Sequence, residues 1–244
     1  MRSYAIGDIH GQLEKLKRAH VLIEADRAEA DDDTAPVVHI GDLPDRGPDT
    51  RGVLDFLMAG QAAGEPWVVL KGNHDRMMAW FLETPPRRDH CLRPELEWPH
   101  PRLGGLETLA SYGVDVSAGR SFDELQRDGA AEVPCAHKDF LAALPSSYRF
   151  GELFFCHAGI RPGVALEAQA EDDLLWIRQN FYSSDADHGA LIIHGHTPLD
   201  RVTHYGNRVN IDTGAGYGRD ISPIVIEGRE VFALTDQGRV PIRP

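Results

Sequence analysis

Hydrophobic residues along this chain follow two rhythms. Short runs at Arg2–Ile6, 36–40, 67–70, Leu153–Cys156 and 191–193 are bounded by glycine or polar residues and predict buried strands. Other stretches place apolar residues every three or four positions and predict amphipathic helices. The first helix runs from Gln12 to about Ala28, with Leu13, Leu16, Val21 and Leu22 inward. The second spans about Thr50–Ala62, with Val53, Leu54, Leu57 and Met58 inward and Asp49 as its cap. A third carries Met77, Met78, Ala79, Trp80, Phe81 and Leu82, a stripe read as core packing. Residues 174–178 form a short helix or turn. Further strands are expected at Ser147–Phe150, 202–205, 208–211, 224–226 and 231–234. The last two flank Glu227-Gly228-Arg229-Glu230, a hairpin-turn signal. Strands alternating with helices predict an α/β fold.

The stretch from about 84 to 146 interrupts this order. It opens rich in Pro, Arg, His and Trp without a clear period, then shows helical patches near residues 105–112 and 137–144. It is expected to be a mostly helical insert between two halves of the sheet core within a single domain. A lid, a substrate-selecting wall and a purely structural excursion all fit that pattern.

Composition changes this picture little, but it excludes some functions. The 244 residues carry a net charge of −13, which argues against a nucleic-acid groove. Three cysteines, Cys91, Cys135 and Cys156, form no paired framework and fit a reducing compartment. There is no signal-peptide core at the N-terminus and no apolar run of membrane-spanning length. A cytoplasmic protein with no membrane partner is the expectation.

The candidate chemistry lies where the strand runs end. Five polar blocks follow or end strand-like runs: Gly7-Asp8-Ile9-His10-Gly11, Gly41-Asp42-Leu43-Pro44-Asp45-Arg46-Gly47, Gly72-Asn73-His74-Asp75, His157-Ala158-Gly159 and His194-Gly195-His196-Thr197. Open α/β sheets place their ligands at such ends. Asp8 and His10, two apart in an extended segment, share one side of their loop. A carboxylate with an imidazole suits a divalent transition metal better than Ca²⁺ or Mg²⁺. Asp42 can bridge two ions, giving one site from Asp8, His10 and Asp42, and a second from Asp42, Asn73, His157 and His196. Two such ions can activate a water and clamp the oxygens of an in-line displacement at phosphorus. Arg46 is placed to hold phosphoryl oxygens, and Arg178 is the candidate for a second contact. His74 can protonate a leaving alkoxide, with Asp45 orienting its ring.

Several nearby residues keep two readings. His194 either orients the centre or stands outside it. Asp75 either supports the site or caps the following helix. Asp212, Tyr217 and Arg219 either line the site or belong to a Gly-rich turn. His20, His39, His90, His100, His137, His188 and His204 receive no role.

Taken together, the five blocks resemble the signatures of the phosphoprotein phosphatase family of calcineurin-like metallophosphoesterases. The resemblance covers most of the chain apart from 84–146, and Asp45-Arg46 and His74 match that branch in particular. It implies a central β-sandwich of two mixed sheets flanked by helices. It also implies a dinuclear Mn²⁺, Fe or Zn²⁺ centre and direct hydrolysis of phosphoesters by a metal-bound hydroxide. The metal ligands it implies are Asp8, His10, Asp42, Asn73, His157 and His196. The phosphate-binding arginines would be Arg46 and Arg178, and the proton donor and its partner His74 and Asp45. The chain is most similar to small bacterial members. Pro44 departs from the Val or Tyr usual at its position and stiffens the loop. Arg178 is matched through a short, variable element.

Three functions follow from that resemblance. The first is a phosphomonoesterase acting on phosphoserine or phosphothreonine in proteins. The second is a symmetrical diadenosine tetraphosphate hydrolase, with Trp80, Phe81, Trp98, Arg87, Arg88, Arg93 and Arg102 as base and phosphate contacts. The third is an inactive scaffold, which the intact set of ligands opposes.

Overall fold

The computed structural model describes all residues, 1–244. Two sheets face each other. The first is built from β1 (Arg2–Ile6), β2 (Val37–His39), β3 (Trp67–Val69), β9 (Ile224–Glu227), β10 (Glu230–Thr235) and β11 (Gly238–Ile242), in the order β11-β10-β9-β1-β2-β3. The second contains β4 (Ser147–Phe150), β5 (Leu153–Cys156), β6 (Leu191–His194), β7 (Thr203–His204) and β8 (Arg208–Asn210), in the order β4-β5-β6-β8-β7. Both are mixed. β1, β2 and β3 run parallel, as do β5, β6 and β8, while β9–β11, β4 and β7 pair antiparallel.

Each central strand is buried on both faces, which is why its apolar run is nearly unbroken. Ala5, Val38 and Ile40 from the first sheet meet Leu153, Phe155, Leu191, Ile193 and Val209 from the second, and fill the space between them. The alternate residues Phe154, Cys156 and Ile192 point outward onto Leu174 and Phe181. Tyr4, Ile6 and Val37 point the other way, onto the helices covering the first sheet. Those helices are α1 (Leu13–Ala30), α2 (Thr50–Ala62) and α3 (Asn73–Phe81).

The expected elements recur, with three corrections. Val21 of α1 is exposed, and the buried stripe is instead Leu16, His20, Ile23 and Arg27. Those positions recur every three or four residues, whereas Val21 lies roughly 100° around the helix from His20. The strand β11 was not expected. It is an edge strand of mostly exposed residues and accommodates Pro241, so it carries no apolar run. Trp80 leaves the apolar stripe: it is half-buried between Arg76 and Arg87, whose guanidinium carbons lie 4.8 and 4.3 Å from its ring.

Residues 84–146 follow α3 and precede the second sheet. Their helices are α4 (Gly105–Ser111), α5 (Phe122–Glu132) and α6 (Cys135–Ala143). Leu92, Leu96, Trp98, Leu109, Tyr112, Leu125 and Leu141 join the same core cluster as α1–α3. No helix of the chain is long and apolar enough to cross a membrane.

Candidate metal centre

Parallel strands end on one side, so the loops after β1, β2, β3, β5 and β6 converge. Backbone hydrogen bonds tie them together. His10 N donates to Asp42 O at 2.8 Å, Gly11 N to Leu43 O at 2.8 Å, and Gly195 N to His157 O at 2.8 Å. The backbone is contorted there. Six non-glycine residues have positive φ, and five of them belong to these loops: His10 (48°), Asp42 (52°), Asp45 (76°), Arg46 (68°) and His196 (67°). Such strain concentrates at functional sites. Gly72 is required by a close approach, since a Cβ there would sit 2.3 Å from Asp42 N.

Asp42 is the hub. Its Oδ2 lies 3.5 Å from His10 Nε2 and 4.0 Å from His74 Nε2, and its Oδ1 lies 3.3 Å from His157 Nε2. His157 Nε2 is also 2.9 Å from Asn73 Oδ1 and 3.2 Å from His196 Nδ1. Two groups of donor atoms therefore share Asp42: His10 with His74, and His157 with His196.

The hydrogens can be assigned from chemistry. His157 Nδ1 faces the carbonyl of Ile40 at 3.1 Å, and His10 Nδ1 faces that of Pro44 at 2.9 Å. A carbonyl only accepts, so in each ring Nδ1 carries the hydrogen and Nε2 presents a lone pair. His157 Nε2 thus points a lone pair at a carboxylate oxygen and at an amide oxygen. A lone pair that faces two oxygens calls for a cation. Nitrogen and oxygen donors from imidazole, carboxylate and amide fit a divalent transition-metal ion, and the backbone carbonyls are the outer partners that fix such rings.

Electrostatics agree. Burial lowers the pKa of His10, His157 and His196, which keeps them in the neutral form that metal binding needs. Burial pushes the Asp42 carboxyl up, and only charge on the surrounding imidazoles, His157 first, would bring it below its ordinary value; with those rings neutral, a bound cation would have to supply that charge. Burial, then the charges of Asp212 and Asp42, raise the Asp8 carboxyl. Asp212 is pushed up to about 6, mainly by burial. Buried carboxyls packed this closely also favour a nearby cation.

Not every expected ligand stands in the same position. Asp8 belongs to neither donor group. Its two oxygens accept from His196 N, each at 3.2 Å, and it neighbours Asp212. His74 takes the third place beside His10 and Asp42. Its Nδ1 donates to Asp45 Oδ2 at 2.5 Å, and Arg46 Nη2 lies 3.1 Å from its Nε2. Arg46 Nη1 reaches His10 Nε2 at 2.5 Å. Arg178 is exposed and donates to Thr197 Oγ1 at 2.8 Å, one residue beyond His196.

The open readings also resolve. Asp75 does both: its carboxylate accepts from Gly72 N (2.7 Å), which caps α3, and from Asp42 N (2.8 Å) and Leu43 N (3.2 Å), which supports the site. His194 stands outside the centre, against Phe181 and Tyr182. Tyr217 lies beside Arg46, whose guanidinium carbon is 5.0 Å from its ring centre, while Arg219 turns away to pair with Asp200. Sequence reasoning missed Thr108 as a site residue, and it read Trp98 only as a base contact. Both bind Asp45, at 2.9 and 2.8 Å. No local signal marks them, because they reach the site only through the packing of residues 84–146.

A sandwich of mixed sheets whose strand ends gather imidazoles around a shared carboxylate is built to hold metal ions for hydrolysis. The chain belongs to the calcineurin-like phosphoesterase family, whose model matches residues 1–221. It is 28% identical over 228 residues to serine/threonine-protein phosphatase 1 of Salmonella typhimurium, covering 90% of this chain and 89% of that one. It is 23% identical over 242 residues to the asymmetrical bis(5'-nucleosyl)-tetraphosphatase PrpE of Bacillus velezensis, covering 89% and 86%. Among solved structures, a cold-active protein-tyrosine phosphatase of a psychrophilic Shewanella shares the fold with a TM-score of 0.59 at 15% identity, covering 99% of this chain and 80% of that one.

Proposed function

We propose that the chain is a phosphomonoesterase acting on phosphoserine or phosphothreonine in proteins. What supports this reading is the Asp45–His74 pair at the edge of the Asp42 centre. A serine or threonine alkoxide is a strong base and leaves slowly unless it is protonated. A nucleotide phosphate is a weak base and leaves without help. An oriented imidazole beside the centre therefore has most to do when the leaving group is an alkoxide.

In this assignment Asp8, His10 and Asp42 hold one divalent ion, and Asp42, Asn73, His157 and His196 hold a second. When bound, the ions (Mn²⁺ first, Fe or Zn²⁺ as alternatives) supply an activated water and a positive field for the phosphoryl oxygens. Arg46 and Arg178 bind those oxygens from two sides. Tyr217 flanks the Arg46 guanidinium. Asp45 fixes the His74 ring through Nδ1–H; the doubly protonated ring gives its Nε2 proton to the departing oxygen once Arg46 Nη2, 3.1 Å from that nitrogen, has turned to the phosphoryl oxygens.

A dinucleoside polyphosphate hydrolase is the second reading. It is favoured by the tetraphosphatase relative and by the ring of Tyr217, which is 62% exposed and offers a stacking face beside Arg46. Of the aromatic platforms expected from sequence, Phe81 and Trp98 are buried, which weakens it. The test is a side-by-side assay. Metal-stripped protein reloaded with Mn²⁺ receives a phosphothreonine peptide and diadenosine tetraphosphate at equal concentration. A higher kcat/KM on the peptide supports the proposal. A higher value on the dinucleotide overturns it, and the products then distinguish symmetrical cleavage (two ADP) from asymmetrical cleavage (AMP and ATP).

A further inference from the structure

We infer that Trp98 and Thr108, both from the 84–146 segment, are positioning residues for the proton donor His74. This rests on the general-acid role of His74 given above. Asp45 is fully buried, and each of its oxygens is engaged. Oδ2 accepts from His74 Nδ1 at 2.5 Å and from Trp98 Nε1 at 2.9 Å, and Oδ1 accepts from Thr108 Oγ1 at 2.8 Å.

The threonine's hydrogen bonds can be followed atom by atom. Thr108 Oγ1 has one hydrogen, and a carboxylate only accepts, so that hydrogen goes to Asp45 Oδ1. Its lone pairs then take Asp45 N at 2.8 Å and the hydroxyl of Thr50 at 3.0 Å. Thr108 thus grips both the backbone and the side chain of Asp45. Nearby, Arg46 N donates to Gly104 O at 3.2 Å. Asp45 and Arg46 both have left-handed φ, 76° and 68°, a conformation that such residues hold only when their surroundings impose it. Three groups from residues 98–108 impose it here.

The consequence is directional. A carboxylate held by one partner can swing about its terminal torsion, and the imidazole bonded to it swings too. With Trp98 on one oxygen and Thr108 on the other, the carboxylate plane is fixed, and His74 Nε2 is aimed at the centre. The indole itself is 3% exposed and packs on Phe81, with ring centres 4.7 Å apart. None of the expected metal ligands lies in 84–146, yet the segment sets the geometry of the acid.

The test uses the full chain loaded with Mn²⁺. Trp98→Phe keeps an aromatic ring and removes the N–H. Thr108→Val removes the hydroxyl at nearly constant shape, and Thr108→Ser restores it. The readout is the ratio of kcat on a phosphoserine peptide, whose alkoxide needs a proton, to kcat on p-nitrophenyl phosphate, whose leaving group does not. In Trp98→Phe and Thr108→Val this ratio is expected to fall about tenfold, the value of one net hydrogen bond, and to recover in Thr108→Ser. A purely structural role would lower both kcat values in parallel, and either that result or an unchanged ratio overturns the inference. If Trp98→Phe does not fold, the Thr108 pair decides. His74→Asn runs beside them. If it leaves the ratio unchanged, the general-acid reading itself fails. If it collapses the ratio while the Trp98 and Thr108 variants do not, only the positioning inference fails.

Discussion

Buried histidines occur in two places in this molecule, and they behave differently. Under α1 and α2, His20 Nε2 and His39 Nε2 face each other at 3.0 Å. His39 Nδ1 faces the carbonyl of Val68 at 3.3 Å, so it carries the hydrogen, and His20 donates to the bare nitrogen of His39. One hydrogen lies between the two rings, and the contact is complete. Around Asp42 the match is poorer: besides His196 Nδ1 at 3.2 Å, His157 Nε2 faces oxygens of Asn73 at 2.9 Å and Asp42 at 3.3 Å, to which a lone pair cannot bond. Burial of an imidazole therefore does not mark a ligand. The orientation of its lone pairs does. His194 and His196 make the point at shortest range, because one packs on Phe181 and Tyr182 while the other joins the centre two residues later.

Substitutions can break this contrast, and the largest effect is expected at the hub. Asp42→Asn should weaken both proposed ion sites at once, since the two donor groups share Asp42. Without the ions, water keeps its ordinary pKa near 15.7, so turnover should fall on the order of 10⁴-fold or more. Metal analysis of the purified variant checks the cause, and a variant with full metal and wild-type turnover would remove Asp42 from the centre. His74→Asn comes next. It should lower kcat on a phosphoserine peptide by about 10²–10⁴-fold, the range of acid–base catalysis, and by less on p-nitrophenyl phosphate. Arg46→Ala should raise KM for phosphoesters and lower kcat together, by about a hundredfold in kcat/KM, the cost of losing one charged donor to the transition state. Steady-state kinetics with unchanged values would place Arg46 outside the site.

The smallest effect lies on the other side of the contrast. Burial lowers the pKa of His20 to about 2 and that of His39 to about 4. The unfolded chain, with its histidines near 6.5, then binds more protons than the folded one from about pH 6.5 down to about 4 for His39 and about 2 for His20. Stability from this pair is fully present above pH 6.5 and is lost as the pH falls. His20→Leu should remove about 1–2 kcal/mol of that loss between pH 7 and pH 5, measured by urea unfolding at the two pH values. Its metal content should equal that of the wild type. An unaltered pH slope would show that the pair does not fold as a neutral unit.

The strand-end blocks were legible in the sequence for a physical reason. Each needs a ligand-type residue, a residue able to turn the chain sharply and a preceding buried strand within a few positions, so the signal is local. His10, Asp42, Asn73, His157 and His196, which the fold brings together, stood out that way, and so did the Asp49 cap, which accepts from Gly52 N at 2.8 Å. Contacts made across the fold left no such trace. Trp98 and Thr108 sit in a segment without clear periodicity and meet Asp45 only through packing. Asp75 looked like a capping residue, and its grip on the Asp42 backbone depends on β2 and β3 lying side by side. The inward face of α1 was misphased at Val21 because small and polar residues, Ala19, His20 and Arg27, occupy much of the buried stripe.

The most direct test is a calorimetric titration of the metal-stripped protein with Mn²⁺, run in parallel with turnover of p-nitrophenyl phosphate. Two equivalents bound per chain, with turnover reaching its maximum as the second site fills and both lost in Asp42→Asn, is the expected result. Turnover that persists in the stripped protein, or metal binding that survives Asp42→Asn intact, would contradict a metal centre built around Asp42.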